Sequence, residues 1–139
     1  MTGPIARAVA LSPTIITERL AETRAFYETW FGAEAVFECS WYVQLRLADG
    51  VEICLMTPQE GAPVFQGGTT LNLRFADADS VWARFAEAGV APVMPLEDHP
   101  WGDRGFGVVD PSGVTVYCYH PIAPSEAFAS FFREARHDF

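Results

Sequence analysis

The chain has 139 residues, and 50% of them are hydrophobic, which is enough for one globular domain with a substantial core. It carries 18 acidic and 9 basic side chains, so its formal charge is −9. This charge disfavours phosphate backbones and anionic membrane surfaces and favours cationic small molecules, so we expect neither nucleic acid nor a membrane as a partner.

The N-terminal residues lack the basic segment and long apolar run of a signal peptide, and no stretch of about 18 apolar residues could serve as a membrane span. We therefore expect a cytoplasmic protein. Its three cysteines, Cys39, Cys54 and Cys118, lack the close spacing of a zinc knuckle or a redox pair. We expect them to be reduced and mostly buried.

The first half of the chain has the pattern β-α-β-β-β. Residues 6–16 are apolar and β-branched and predict a strand, although Pro13 suggests its end or an edge position. Apolar residues then recur at three- and four-residue steps, which predicts a helix that begins near 17–19 and ends at Gly32. Three short strands are predicted after it, at 35–38, 41–47 and 51–56, with an Asp-Gly hairpin turn before the last.

The second half repeats this order after a Pro- and Gly-rich linker at 57–68. A strand at 69–75 precedes a helix capped by Asp77 or Asp79, and three further strands are predicted at 90–94, 106–109 and 114–119. A repeat of about half the chain predicts a single α+β domain, 1–139, built from two pseudo-symmetric βαβββ modules at about 6–56 and 69–120.

A last amphipathic segment predicts a C-terminal helix at 125–137. Phe128, Phe131, Phe132 and Ala135 form a helical stripe after Ser125 as the cap. We expect this stripe to pack on the domain or on a second subunit.

Several short motifs, in this order, resemble the vicinal oxygen chelate superfamily, which contains glyoxalases, bleomycin resistance proteins and ring-cleaving dioxygenases. They are Arg24-Ala25-Phe26-Tyr27 in the first helix, Phe31-Gly32 at its end, and Asp110-Pro111-Ser112-Gly113 before the last strand. The Trp-Gly-x-Arg-x-Phe segment at 101–106 is most similar to the bleomycin resistance branch. The resemblance implies two curved sheets that form a shared cavity, usually completed by symmetric dimerisation, so a homodimer is expected.

The resemblance also implies where metal-dependent relatives hold a divalent ion. Their ligands come from the first and last strands of each half, and spacing from the motifs maps those positions onto Ser12, Cys54, Thr70 and Tyr117. None of these is an imidazole or a carboxylate, and a slip of one or two residues offers no better pair. We therefore expect no metal and no other cofactor.

The sequence predicts no catalytic residue. His99, His120 and His137 lie outside the expected ligand strands and are interpreted as surface or loop residues, with His99 kept as a ligand contact because it adjoins Trp101. Strand alternation is taken to point Glu52 away from the face that Cys54 uses. Cys54 has no base or cation beside it in the sequence and is expected to pack inertly.

Aromatic residues are abundant, with 4 Trp, 4 Tyr and 11 Phe. Many belong to the helices, but others lie on strands or loops that rim the cavity in this superfamily, where a flat ligand could stack on them. We expect Trp41, Trp101 and Phe106 to supply stacking area. The candidate ligand-binding residues are Ser12, Trp41, Tyr42, Cys54, Phe65, Thr70, Asn72, His99, Trp101, Phe106 and Tyr117.

The resulting hypothesis is metal-free binding of a small hydrophobic or aromatic molecule, and the net charge favours a cationic one. The expected function is sequestration of an antibiotic, as in bleomycin resistance proteins. Two alternatives stay open. One is a glyoxalase- or dioxygenase-type enzyme whose metal is held by displaced ligands such as Glu52 or His99. The other is a small-molecule binding module of a biosynthetic or regulatory pathway. The aromatic residues could also simply fill the core.

Overall fold

A computed structural model describes residues 3–134 of the chain. The chain divides into two compact units, Met1–Gln66 and Gly67–Phe139. Each unit contains one helix packed on a four-stranded mixed sheet, and the second ends with a short additional helix. The α+β class and the two repeated βαβββ modules are therefore confirmed. Among the described residues, no helix has the length and apolar character needed to cross a membrane.

The first unit forms a sheet in the order β1-β4-β3-β2, with β1 parallel to β4 and the other neighbours antiparallel. Its elements are β1 (Thr14–Ile16), α1 (Leu20–Phe31), β2 (Glu34–Cys39), β3 (Tyr42–Ala48) and β4 (Val51–Met56).

The core of the first unit lies between α1 and one face of this sheet. Val43 pairs with Leu55 and Leu45 with Ile53, so these four buried side chains share a face. The Tyr27 side chain of α1 is also completely buried. Burial of this apolar surface is the main stabilising term of the unit.

The second unit repeats the arrangement in the order β5-β8-β7-β6, with β5 parallel to β8. Its elements are β5 (Thr70–Arg74), α2 (Ala78–Glu87), β6 (Met94–His99), β7 (Asp103–Val109), β8 (Thr115–Pro121) and α3 (Glu126–Ala129).

Two aspartates fix the local structure of the second unit. Asp77 caps α2, because its side chain accepts a hydrogen bond from the backbone N–H of Asp79 at 3.0 Å. Asp110 is buried, and its Oδ1 accepts from the backbone N–H groups of Ser112 at 2.8 Å and Val114 at 3.1 Å. The Asp-Pro-Ser-Gly segment is thus a turn that leads the chain into β8.

Four predicted boundaries are wrong, and one of them is the start of β7, which lies at Asp103 rather than residue 106. The first strand begins at Thr14 rather than residue 6, since Pro13 has no N–H with which to extend the ladder. The strand predicted at 90–94 lies at Met94–His99, where its charged residues are tolerated because β6 is an edge strand. The C-terminal helix covers only Glu126–Ala129, and the predicted positions Ala135 and His137 lie outside the described residues.

Candidate functional site

The sheet of the second unit has two faces with different chemistry. Phe106 is completely buried and packs against Trp82 and Phe85 of α2, at ring-centroid distances of 5.2 and 5.7 Å. Since successive side chains alternate, Tyr117 and Tyr119 lie on the opposite face, away from α2. That opposite face carries the candidate site.

Asp103, the first residue of β7, is the centre of a hydrogen-bond network on this face. Its Oδ1 accepts a hydrogen bond from the Tyr117 hydroxyl at 2.6 Å, and its Oδ2 accepts from the indole N–H of Trp101 at 2.8 Å. The His99 Nδ1 lies 2.8 Å from the same Oδ1. One carboxylate therefore joins three ring systems, and only 16% of its side-chain surface is exposed.

This network sets the tautomer of His99. The Tyr117 hydroxyl uses its proton on Asp103, so the His99 Nδ1 acts as a donor toward the Asp103 carboxylate and the Tyr117 oxygen, which lies at 3.0 Å. In the neutral imidazole the lone pair is then on Nε2. The Glu97 Oε2 lies 4.0 Å from that Nε2.

Trp101 is held in a fixed orientation. Its indole stacks on the His99 imidazole with a centroid distance of 4.5 Å and an interplanar angle of 2°, and its N–H is bound to Asp103. The indole also makes an edge-to-face contact with the Phe128 ring, at a centroid distance of 6.4 Å. Trp101 nevertheless stays 45% exposed, so it offers a rigid aromatic surface to a ligand.

Tyr117 lies over a glycine. A Cβ added to Gly105 would be 2.8 Å from the Tyr117 Cζ and hydroxyl oxygen and 2.7 Å from the Cys118 carbonyl oxygen. The ring can occupy this position only because residue 105 has no side chain. Burial, followed by the hydrogen bond and charge of Asp103, raises the pKa of Tyr117 above its usual range, so it is a neutral hydroxyl at physiological pH.

A pocket of about 450 Å³ opens beside this network. The volume is within the range of roughly 300–1,000 Å³ typical of small-molecule sites. The pocket combines aromatic surface with one acidic and one basic side chain. Its lining residues are Arg74, Trp101, Gly102, Asp103, Tyr119, Pro121 and Phe132.

The corresponding face of the first unit carries polar side chains that contact one another. Tyr42 is within hydrogen-bonding reach of Cys54 and Thr14, and the contact with Cys54 is the largest cause that raises the pKa of Tyr42. Cys54 itself is buried, as expected. The Glu52 carboxylate accepts from Gln44 at 2.6 Å, and this contact lowers its pKa.

The expectation that Glu52 points away from the face of Cys54 is wrong. Residues two apart on a strand share a face, and Glu52 contacts Gln44, the direct cross-strand partner of Cys54. The Arg46 guanidinium also binds this carboxylate, with an Nε to Oε2 distance of 3.1 Å. Glu52 is thus committed to partners within its own sheet.

The strand register corrects two of the mapped metal positions. Cys54 lies opposite Thr14 rather than Ser12, which is exposed and outside β1, and Tyr117 lies opposite Asn72 rather than Thr70. These pairs offer a hydroxyl, a thiol, an amide and a phenol that already donates to a carboxylate. Only the Cys54 thiol could become one of the ligand types that a divalent metal ion prefers, which are imidazole, carboxylate and thiolate, so the set does not fit such an ion.

One group of potential metal ligands occurs among residues 3–134, consisting of Asp77, Asp79 and His120 at the start of α2. Each member already has a protein partner. Asp79 is paired with Arg104 at 2.9 Å, and the His120 Nδ1 accepts from the Ala78 N–H at 2.9 Å. Asp77 is the helix cap described above.

The structure brings together three of the predicted site residues, His99, Trp101 and Tyr117, in the Asp103 network. The interpretation of His99 as a surface or loop residue is wrong, because His99 is the last residue of β6 and its side chain is only 10% exposed. Phe106 was expected to stack on a ligand, but it belongs to the core against α2.

Other predicted residues lie elsewhere. Trp41 is exposed in the turn before β3, and Phe65 is half-buried after the first sheet, where its N–H donates to the Ile16 carbonyl at 2.9 Å. Both belong to the first unit. Thr70 and Asn72 are exposed on β5.

Sequence reasoning missed Arg74, Asp103, Tyr119, Pro121 and Phe132 of the pocket lining. For the first two, a signal was present. Arg74 continues the alternation of Thr70 and Asn72 by one further step, and Asp103 would have joined the site face if β7 had been started three residues earlier.

Comparisons with known proteins agree with the fold. The family model of the Glyoxalase/Bleomycin resistance protein/Dioxygenase superfamily matches residues 8–117. The Mycobacterium bovis protein Mb0911c is 30% identical, over 75% of this chain and 78% of its own length. It carries no described activity.

Solved structures show the same fold. A lactoylglutathione lyase from Agrobacterium tumefaciens has a TM-score of 0.69 at 19% identity, with 83% of this chain and 96% of that chain covered. A superfamily member from Sphaerobacter thermophilus has a TM-score of 0.69 at 24% identity, with 82% and 98% covered. TioX from Micromonospora sp. ML1 has a TM-score of 0.67 at 18% identity, with 83% and 100% covered. At these identities the similarity concerns the fold alone.

Proposed function

Because the chain belongs to the glyoxalase, bleomycin resistance protein and dioxygenase superfamily, whose fold alone fixes no reaction, we propose a function from the site: binding of a small aromatic molecule in the pocket of the second unit, without a metal. Retention of that molecule lowers its free concentration, as in sequestration of an antibiotic. The observation that carries the proposal is the rigid Trp101 surface beside the pocket of about 450 Å³.

Preorganisation of Trp101 is what makes this surface useful for binding. A free tryptophan side chain loses rotamer freedom when a ligand stacks on it, at a cost of about 0.5–1.5 kcal/mol. Here the hydrogen bond to Asp103 and the stack on His99 have already fixed the ring. Aromatic stacking contributes roughly 0.5–1.5 kcal/mol beyond the area buried, so most of that gain is available to a ligand.

The proposal is tested by calorimetric titration with three probes that share one naphthalene ring: naphthoate, naphthylmethanol and naphthylmethylammonium. At least one is expected to bind, and Trp101→Ala is expected to weaken it about tenfold or more, from loss of the stacking surface. Trp41→Ala is the matched control, because the two tryptophans are 47% and 45% exposed but only Trp101 lines the pocket. Binding that depends on Trp41 and not on Trp101 would contradict the assignment.

A second candidate function, an enzyme that transfers a proton, is favoured by the His99–Asp103 pair. An imidazole whose Nδ1 is held 2.8 Å from a carboxylate and whose Nε2 has the lone pair has the arrangement of a general base. If the protein turns over a bound molecule, His99→Gln should abolish turnover while the molecule still binds. Sequestration alone predicts a bound molecule that is recovered unchanged.

A further inference from the structure

One hydroxyl group in the pocket lining, that of Tyr119, has no hydrogen-bond partner among residues 3–134. The residue is half-buried. The hydroxyl of Tyr117, two residues earlier on β8, is instead donated to Asp103 at 2.6 Å. A ligand that covers Tyr119 removes the water from its hydroxyl, and this costs free energy unless the ligand supplies a hydrogen bond in return.

The Tyr119 ring is supported by its neighbour. It stacks on the Tyr117 ring with a centroid distance of 5.8 Å and an interplanar angle of 17°. Tyr117 is itself fixed, because its hydroxyl is bound to Asp103 and its ring lies over Gly105. A hydroxyl on a supported ring loses less rotamer freedom on binding than one on a mobile side chain.

Other hydrogen-bond donors of the pocket lining are bound within the protein. The Trp101 indole N–H donates to Asp103 at 2.8 Å, and the Gly102 backbone N–H donates to the His99 carbonyl oxygen at 3.0 Å. Arg74 also has an interaction partner in the chain. Tyr119 thus offers a ligand a donor that no described protein group uses.

We propose that the ligand is an aromatic molecule with a carbonyl group on its ring, and that Tyr119 donates a hydrogen bond to the carbonyl oxygen while the ring stacks on Trp101. The proposal rests on the binding function proposed above and deepens it by naming a group that the ligand carries. A carbonyl oxygen has two lone pairs and no proton, so it suits a phenol that donates. Conjugation keeps an aryl carbonyl in the plane of its ring, so the whole molecule can lie flat on Trp101.

The two contacts are within the reach of one small molecule. Trp101 is bound to Asp103, and the cross-strand partner of Asp103 is Pro121. Pro121 and Tyr119 are two residues apart on the same face of β8, a separation of roughly 7 Å. A two-ring aromatic ketone is long enough to stack on Trp101 and extend over that distance.

Equilibrium dialysis of two matched probes tests the proposal. Acetonaphthone carries the carbonyl group, and isopropylnaphthalene has a similar shape with a methyl group in place of the oxygen. The quantity compared is the ratio of their association constants, acetonaphthone over isopropylnaphthalene. Tyr119→Phe should lower this ratio about three- to tenfold, the effect of one net hydrogen bond, because it removes the hydroxyl and keeps the ring.

Tyr117→Phe is the matched control. It removes the neighbouring phenol hydroxyl, which is bound to Asp103, so it should leave the ratio unchanged even if both affinities fall. An unchanged ratio in Tyr119→Phe, or an equal fall in Tyr117→Phe, overturns the carbonyl contact but leaves the pocket in place.

Failure of the carbonyl contact can be told apart from failure of the binding function. If neither neutral probe binds but one of the three naphthalene probes above does, the carbonyl contact is overturned and the pocket remains. If none of the five compounds binds, the proposed binding function fails as well.

Discussion

Gly105→Ala should be the most informative single change in the second unit, because it tests the position of Tyr117. The new Cβ would be 2.8 Å from the phenol ring of Tyr117 and 2.7 Å from the Cys118 carbonyl oxygen, closer than van der Waals contact allows. A backbone atom cannot rotate away, so the strands must separate. Overpacking of this kind costs about 1–3 kcal/mol.

Gly107→Ala is the matched control in the same strand and on the same face. Its Cβ would meet Val93 at 3.4 Å and Met94 at 3.6 Å, which are ordinary contacts. Loss of glycine freedom in the unfolded chain should then stabilise this variant by about 0.4–1 kcal/mol. The same unfolded-state term applies to Gly105→Ala, so the two variants should differ in the free energy of unfolding by the overpacking cost, about 1–3 kcal/mol, measured by urea denaturation.

The same comparison has a functional readout. Displacement of Tyr117 removes one donor from the Asp103 carboxylate, so Gly105→Ala should also weaken the binding of the naphthalene probes, and Gly107→Ala should not. Equal stability of the two variants would refute the position of Tyr117 over Gly105.

Three further predictions concern the turn, the core and the pH dependence. Asp110→Ala should lower the free energy of unfolding by about 2–3 kcal/mol, because the part-buried Ser112 N–H and the buried Val114 N–H lose their acceptor. Ala at the exposed Asp49 of the other hairpin should change it little, and equal effects in denaturant titrations would contradict the turn. Phe106→Ala should cost about 3–5 kcal/mol in the same assay, and Ala at Phe131, which is 71% exposed, should cost far less. Burial and a hydrogen bond to a carboxylate raise the pKa of Tyr117 above the usual 10.0, so the folded protein keeps a proton that the unfolded chain releases. Stability should therefore fall as the pH rises above about 10, less steeply in Tyr117→Phe, and identical slopes in denaturant titrations at high pH would contradict this.

The architecture was predictable because its signals are local. Helical periodicity before Gly32, the Asp77 cap and the turn glycines each act within a few residues, and the order of the elements then repeats. The C-terminal helix was overestimated because an apolar stripe indicates which face would be buried and not where the helix ends.

The site was less predictable because it depends on register. The strand was predicted to begin at residue 106, whereas β7 begins at Asp103. The later start excluded Asp103 from the sheet, and alternation then had no earlier residue from which to assign Phe106 to a face. With the strand begun at Asp103, alternation assigns Phe106 to the side of Arg104, which is the α2 side. The hydrogen bonds of Asp103 to His99 and Trp101 lie within one hairpin, whereas the bond to Tyr117 joins β7 to β8 and depends on the register between these two strands.

The two units differ in which strand carries the large side chains on this face. Cys54 of β4 and Tyr117 of β8 are equivalent, because each comes four residues after the glycine of the turn that precedes its strand, Gly50 and Gly113. In the first unit, β3 places the large Gln44 side chain opposite Cys54, and its next residue on that face is Tyr42.

In the second unit, the corresponding positions of β7 are Gly107 and Gly105, and the large side chains are instead Tyr117 and Tyr119 of β8. The bare face of β7 gives the Tyr117 ring room to lie across the sheet and reach Asp103 at 2.6 Å. On this face, the large side chains therefore lie on the third strand of the module in the first unit and on the fourth strand in the second unit. A Gly-x-Gly pair inside a predicted strand, followed by aromatic residues at alternate positions of the next strand, is the sequence feature that indicates this site.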